Sequence, residues 1–196
     1  MSSIFSDPFF RRGSTLLGGE EIEKDAAGNP VAGNEVVGQV KAFQDVNPAG
    51  AGERYSNRLV YCVAARYTGS TVASAATVAG KAYVFADATP LTTFSALATN
   101  TNVAAGKAVG ILDEYLKGEL RENDIVWLVL KGPTSIQKGS SVSVGANTGV
   151  EIGASGTAGQ AIPVNQGVNI GNSIAGVAVT GAQGDLLRIN KTSDLI

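Results

Sequence analysis

An all-β fold, with a compact β-sandwich or barrel body and an extended N-terminal arm, is predicted by three features of this 196-residue chain. Short apolar runs recur at roughly 8–12-residue intervals. No long helical period alternates with them, which argues against a doubly wound α/β sheet. The spacers between them, such as Gly69-Ser70-Thr71, Ala98 to Ala105 and Gly153 to Gly159, are small and weakly charged, as surface loops of sandwiches and barrels are.

The arm comes first in the chain. Ile4-Phe5, Phe9-Phe10 and Leu16-Leu17 are separated by Pro8, Gly13, Gly18-Gly19, Gly28-Asn29-Pro30 and Gly33, so neither a helical nor a strand period survives. Residues 1–34 therefore read as an extended arm and 35–196 as a β-rich body, which forms either one unit or two lobes, 35–105 and 106–196. Large apolar residues are unusual on a free terminus and need cover. Burying Ile4, Phe5, Phe9 and Phe10 yields roughly 1.5–3 kcal/mol each, while ordering the backbone costs about 1–2 kcal/mol per residue. The terms nearly cancel for a lone arm, so firm attachment requires added contacts from Arg11 and Arg12 or several arms acting together. Fully extended, the first nineteen residues reach about 60 Å. The candidate contact residues are Ile4, Phe5, Phe9, Phe10, Arg11, Arg12, Leu16 and Leu17. The alternative is an arm folded back on its own core.

Strand signals begin after Glu35. Val36, Val40 and Ala42 alternate with Gln39 and Lys41, the pattern of a half-buried strand whose inner face carries the valines and Ala42. Leu59 to Ala65 and Ile125 to Leu130 are apolar on both faces and bounded by turn formers, as central strands are. Further strands are expected at Ala82 to Phe85, Ala108 to Leu112, Ser141 to Val144, Ile174 to Val179 and Leu186 to Ile189. Asp113 to Glu122 is the one stretch that reads as a helix, weakened by Gly118. Two segments echo each other: Ala108 to Leu112 and Ile174 to Val179 each carry a central glycine, where a bulge or close backbone approach is expected. Each leads to an acidic residue and an apolar run, Asp124-Ile125-Val126 and Asp185-Leu186-Leu187, which suggests two similar hairpins.

Composition narrows the function. Charged residues are 16% of the chain, against about 25% in ordinary soluble domains. Either partners cover much of the surface, or Ser, Thr, Asn and Gln keep it soluble. The formal net charge is −2 and the basic residues are scattered, which argues against a nucleic-acid partner. No apolar stretch is long enough to cross a membrane as a helix, and Asp7 with Arg11-Arg12 breaks any signal peptide, so a soluble, unsecreted chain without membrane contact is expected. The lone Cys62 sits inside an apolar run and reads as a small buried hydrophobe.

Histidine is absent from the chain, which removes the commonest general base, the commonest metal ligand and the usual partner of a Ser or Cys nucleophile. Carboxylates cluster at Glu20, Glu21, Glu23 and Asp25, and again at Asp113, Glu114, Glu119, Glu122 and Asp124. The second cluster is interleaved with Lys117 and Arg121, as in a solvated face or a set of salt bridges. Glycines 153, 156 and 159 match neither a dinucleotide nor a phosphate loop. No spacing fits calcium or zinc ligation. The expectation is a non-enzyme without a cofactor or metal site.

Gly106 to Leu112, the strand through Trp127, Gly176 to Thr180 and Gly184 to Ile189 give the chain, over less than half its length, a pattern that resembles tailed-bacteriophage capsid decoration, or cement, proteins. The resemblance implies a small β-rich body, a homotrimer, and an arm lying along the shell. It implies a structural virion protein bound to the outside of the capsid, bridging neighbouring capsomers and stabilising the head. The major capsid protein and further copies of the chain are the implied partners. The location is then the virion exterior, after assembly in the host cytoplasm. Two other readings compete: a carbohydrate- or receptor-binding β module of a fibre or spike, and a hydrolase with paired carboxylates at Glu114 and Glu122.

Overall fold

The computed structural model describes residues 9–11, 37–44, 59–72, 80–87, 91–112, 119–139, 143–144, 149–154, 158–163, 176–178 and 186–191. The fold is all-β. Its strands in chain order are β1 (Phe9–Arg11), β2 (Val40–Gln44), β3 (Leu59–Tyr67), β4 (Ala82–Phe85), β5 (Thr93–Leu97), β6 (Val109–Leu112), β7 (Ile125–Gln137), β8 (Gly149–Ile152), β9 (Ala161–Pro163), β10 (Gly176–Ala178) and β11 (Leu186–Lys191), with one short helix, α1 (Asn100–Ala104), after β5.

Strands β3, β5, β4, β6 and β7 pair in a closed circuit. β3 lies parallel to β5 at Arg66/Thr93 and Tyr67/Phe94 and antiparallel to β7 from Cys62/Val129 to Arg66/Ile125, and the remaining neighbours are antiparallel. Strands from both sides of residue 105 thus build one barrel. Closure removes free edges, and a five-stranded barrel is narrow enough for side chains to fill. Val63, Tyr67, Tyr83, Phe85, Phe94, Leu112, Val126, Leu128 and Leu130 fill it. Tyr67, Tyr83 and Phe94 meet with ring centroids 5.2–6.4 Å apart, in tilted or edge-on contacts that suit aromatic quadrupoles.

β7 explains why two sheets form. Its 13 residues are longer than any other strand here. The first half closes the barrel, and from Gly132 to Gln137 it pairs with β11, followed in order by β10, β8 and β9. The handover falls at Gly132-Pro133. Gly132 has φ +106°, and a Cβ there would lie 2.6 Å from the Leu59 carbonyl oxygen, so only glycine fits this close crossing. The second sheet returns to the end of β7 through a parallel bridge between Lys138 and Ala161. A second core lies between barrel and sheet, where Cys62, Ala64, Val84, Ile111, Trp127 and Val129 meet Ile136, Val144, Val150 and Ile152. This double burial is why Ile125 to Leu130 is apolar on both faces. Cys62 is buried as expected. The echoing segments also form antiparallel neighbours, β6 with β7 and β10 with β11.

Several expectations are corrected. Ala98 to Ala105 is not a plain loop: Thr99 caps α1, its Oγ1 accepting from the Asn102 N–H at 3.3 Å while Asn102 Oδ1 accepts from the Thr99 N–H at 3.1 Å. This is a capping box with asparagine in the place of the usual Glu or Gln. Within the segment read as a helix, Leu120 instead forms a bridge with Val72, and residues 113–118 lie outside the described residues. Ser143 and Val144 are not in a strand, and 141–142 lie outside the described residues. In β2 the faces are reversed: Val40 and Ala42 are exposed, whereas Phe43 packs on Trp127 with centroids 5.1 Å apart. Phe43 has more apolar area to bury than Ala42, so its parity decides the register.

Candidate binding surface

Of the residues expected to make contacts, Phe9, Phe10 and Arg11 form β1, antiparallel to the start of β7 with Phe9 opposite Val126 and Arg11 opposite Ile125. Ile4, Phe5, Arg12, Leu16 and Leu17 lie outside the described residues. The sequence reading allows the arm no strand, yet backbone pairing needs no side-chain period, only a partner with an unused edge. β7 provides one. β6 pairs with it at Val129 and Leu128 and ends at Leu112, which leaves the backbone at Val126 and Ile125 for β1. This part of the arm is therefore held on its own body.

The carboxylates near the start of β7 are used structurally. Asp124 is fully buried and accepts the Arg121 backbone N–H at 2.8 Å, closing the turn in which Asn123 has φ +71°. Arg121 also forms an ion pair with Glu119. Arg66 spans the same corner, its guanidinium reaching the Asn123 carbonyl, and its partial burial lowers its pKa. Glu114 lies outside the described residues, so the proposed carboxylate pair is not assembled among them. No group of three or more His, Cys, Asp or Glu among the described residues could hold a metal ion.

The remaining polar burial is also internal. Lys191, on β11, is buried and donates from Nζ to the Leu130 carbonyl at 3.0 Å, tying the second sheet to the barrel strand. Tyr67 donates its hydroxyl to the Ser70 carbonyl at 2.9 Å, and burial pushes its pKa up. Tyr83 is shifted further in the same direction, first by burial and second by the nearby Tyr67.

Sequence reasoning does not single out the surface formed by Val40, Leu59 and Tyr61, the exposed large hydrophobics of the described residues. Its signal was available: in Val40-Lys41-Ala42-Phe43 both parities carry an apolar residue, and burying the aromatic one turns the other outward.

No protein-family model matches the chain, and no curated protein matches it. The N base of head fiber gp8.5 in bacteriophage phi29 is similar at a TM-score of 0.41 and 18% identity, over 70% of this chain and 98% of that one.

Proposed function

We propose that this chain is a structural virion protein that binds the outside of a tailed-phage capsid, bridges neighbouring capsomers and has no catalytic activity. The observation that carries the reading is the anchoring of β1 on β7, which fixes the point from which the preceding residues depart. Eight residues, with Ile4 and Phe5 among them, precede Phe9. Fully extended they reach about 28 Å. Burying Ile4 and Phe5 against a shell contributes roughly 1.5–3 kcal/mol each, and a homotrimer engaging three such arms multiplies a weak contact into a firm one.

The body supports the same reading. Its barrel is filled by its own side chains, and histidine is absent from the whole chain. A sugar-binding module would be expected to display clustered aromatic rings. Among the residues with described side chains, Tyr67, Tyr83, Phe85, Phe94 and Trp127 are buried, and Tyr61 is the exposed ring.

Deleting residues 1–8 tests the reading, because it leaves β1 in place. The truncated chain should keep the melting temperature of the full chain yet lose sedimentation with isolated phage heads assembled without it. Equal binding by both forms would remove the arm from the interface.

A further inference from the structure

Among the described residues the exposed large apolar side chains form one row. Val40 is 51% exposed, Leu59 54% and Tyr61 40%. The β2/β3 register puts Val40 opposite Val63, Ala42 opposite Tyr61 and Gln44 opposite Leu59, so all of these share one face. Val63 lies inside the barrel, and the row is that inner face continued outward beyond the barrel's rim. The other face of the same ribbon carries Lys41 and Phe43, with the Lys41 Nζ 5.4 Å from the Phe43 ring centroid. β2 ends the sheet, and among the described residues it pairs only with β3. Alternate backbone N–H and C=O groups along its outer side therefore face away from every described strand.

Among the described residues of these strands the charges have one sign. Lys41 stands on β2, Lys131 stands opposite Tyr61 on β7, and both are exposed. No acidic residue occurs in Val40–Gln44 or Leu59–Tyr67. A second copy adding its own β2 here has no carboxylate to set beside Lys41, so it gains no cross-strand charge pair. An occupant must instead offer an extended backbone, apolar side chains on one face and negative charge on the other.

We propose that β2 accepts by strand addition an extended segment of a partner protein in which apolar residues alternate with carboxylates. The apolar residues extend the Val40, Ala42, Leu59 and Tyr61 face, and the carboxylates lie beside Lys41. Backbone hydrogen bonds supply attachment and the alternation supplies selectivity, as in other cases of strand addition. This surface is separate from the arm and does not depend on the partner being a capsid protein.

Two labelled hexapeptides test it: one alternating Glu with Ile or Val, the other with Lys replacing each Glu. Fluorescence anisotropy at low ionic strength measures their binding to the full chain. The Glu peptide should bind, and the Lys peptide at least about fivefold more weakly, the effect of turning a cross-strand attraction into repulsion. Lys41→Glu should invert that order, and Tyr61→Ser should weaken both peptides; both positions are exposed, so the fold is retained. Equal binding of the two peptides, binding of neither, or an order unchanged by Lys41→Glu would overturn the proposal. So would sedimentation showing a dimer of the full chain that Tyr61→Ser dissociates, since a second copy would then be the occupant. None of these outcomes bears on the arm, whose test uses phage heads.

Discussion

Replacing Gly110 by alanine sets two physical effects against each other. Glycine in a strand interior is disfavoured relative to alanine by roughly 0.5–1 kcal/mol, so propensity alone predicts stabilisation. Packing predicts the opposite. Gly110 lies on β6, and a Cβ there would sit 2.7 Å from the Leu128 Cβ and 3.1 Å from two atoms of the Phe85 ring. Leu128 cannot move aside alone, because its backbone pairs with Val63 on one side and Leu112 on the other. Overfilling a close-packed core costs typically about 1–3 kcal/mol, so Gly110→Ala should lose about 1–2 kcal/mol net, and Gly110→Val more. Urea unfolding followed through Trp127, the chain's single tryptophan, reads this as a lower midpoint at unchanged slope. Stabilisation that rises from Ala to Val would refute the reasoning, since it would mean that β6 does not close against β7 inside a filled barrel.

Three further outcomes are expected. Tyr83 has its folded pKa raised above the unfolded value near 10; its contribution is therefore complete below about pH 10 and is lost as pH rises towards the folded value. Chemical denaturation at pH 9 and pH 11 should show that loss in the full chain and a smaller one in Tyr83→Phe; an identical loss in both would contradict it. Phe43→Ala should cost about 2 kcal/mol, less than the 3–5 of a fully buried phenylalanine, and should shift Trp127 emission to the red by uncovering its ring. Thr99→Ala removes the cap of α1 and should cost about 1 kcal/mol, whereas Asn102→Glu should retain the stability because glutamate can complete the same box. Thermal unfolding measures both.

The fold class is legible in the sequence because its strongest signals are strands buried on both faces. Leu59 to Ala65 and Ile125 to Leu130 read as central strands because the barrel interior takes one parity and the second core takes the other. The strands that sequence alone does not single out lack that signal. β5, Thr-Phe-Ser-Ala-Leu, buries only Phe94 fully, and β1 is recruited by a vacant stretch of β7 that no local pattern reveals. The continuation of β7 through Gly132-Pro133 is hidden for another reason: glycine and proline ordinarily mark a turn, yet here they mark the crossing from one sheet to the other. The candidate surface is legible only by half. An apolar arm stands out against a polar background, whereas the row on β2 and β3 uses the same residue types as the core. Only the contest between Val40 and Phe43 for the inner face exposes it.

The proposed attachment to a capsid exterior is tested by titrating the fluorescently labelled full chain onto isolated, expanded phage heads that lack it. Saturable binding in a fixed ratio to the major capsid protein is expected, with saturated heads resisting heat or osmotic rupture better than bare ones. No saturable binding, or saturation that leaves head stability unchanged, would contradict it.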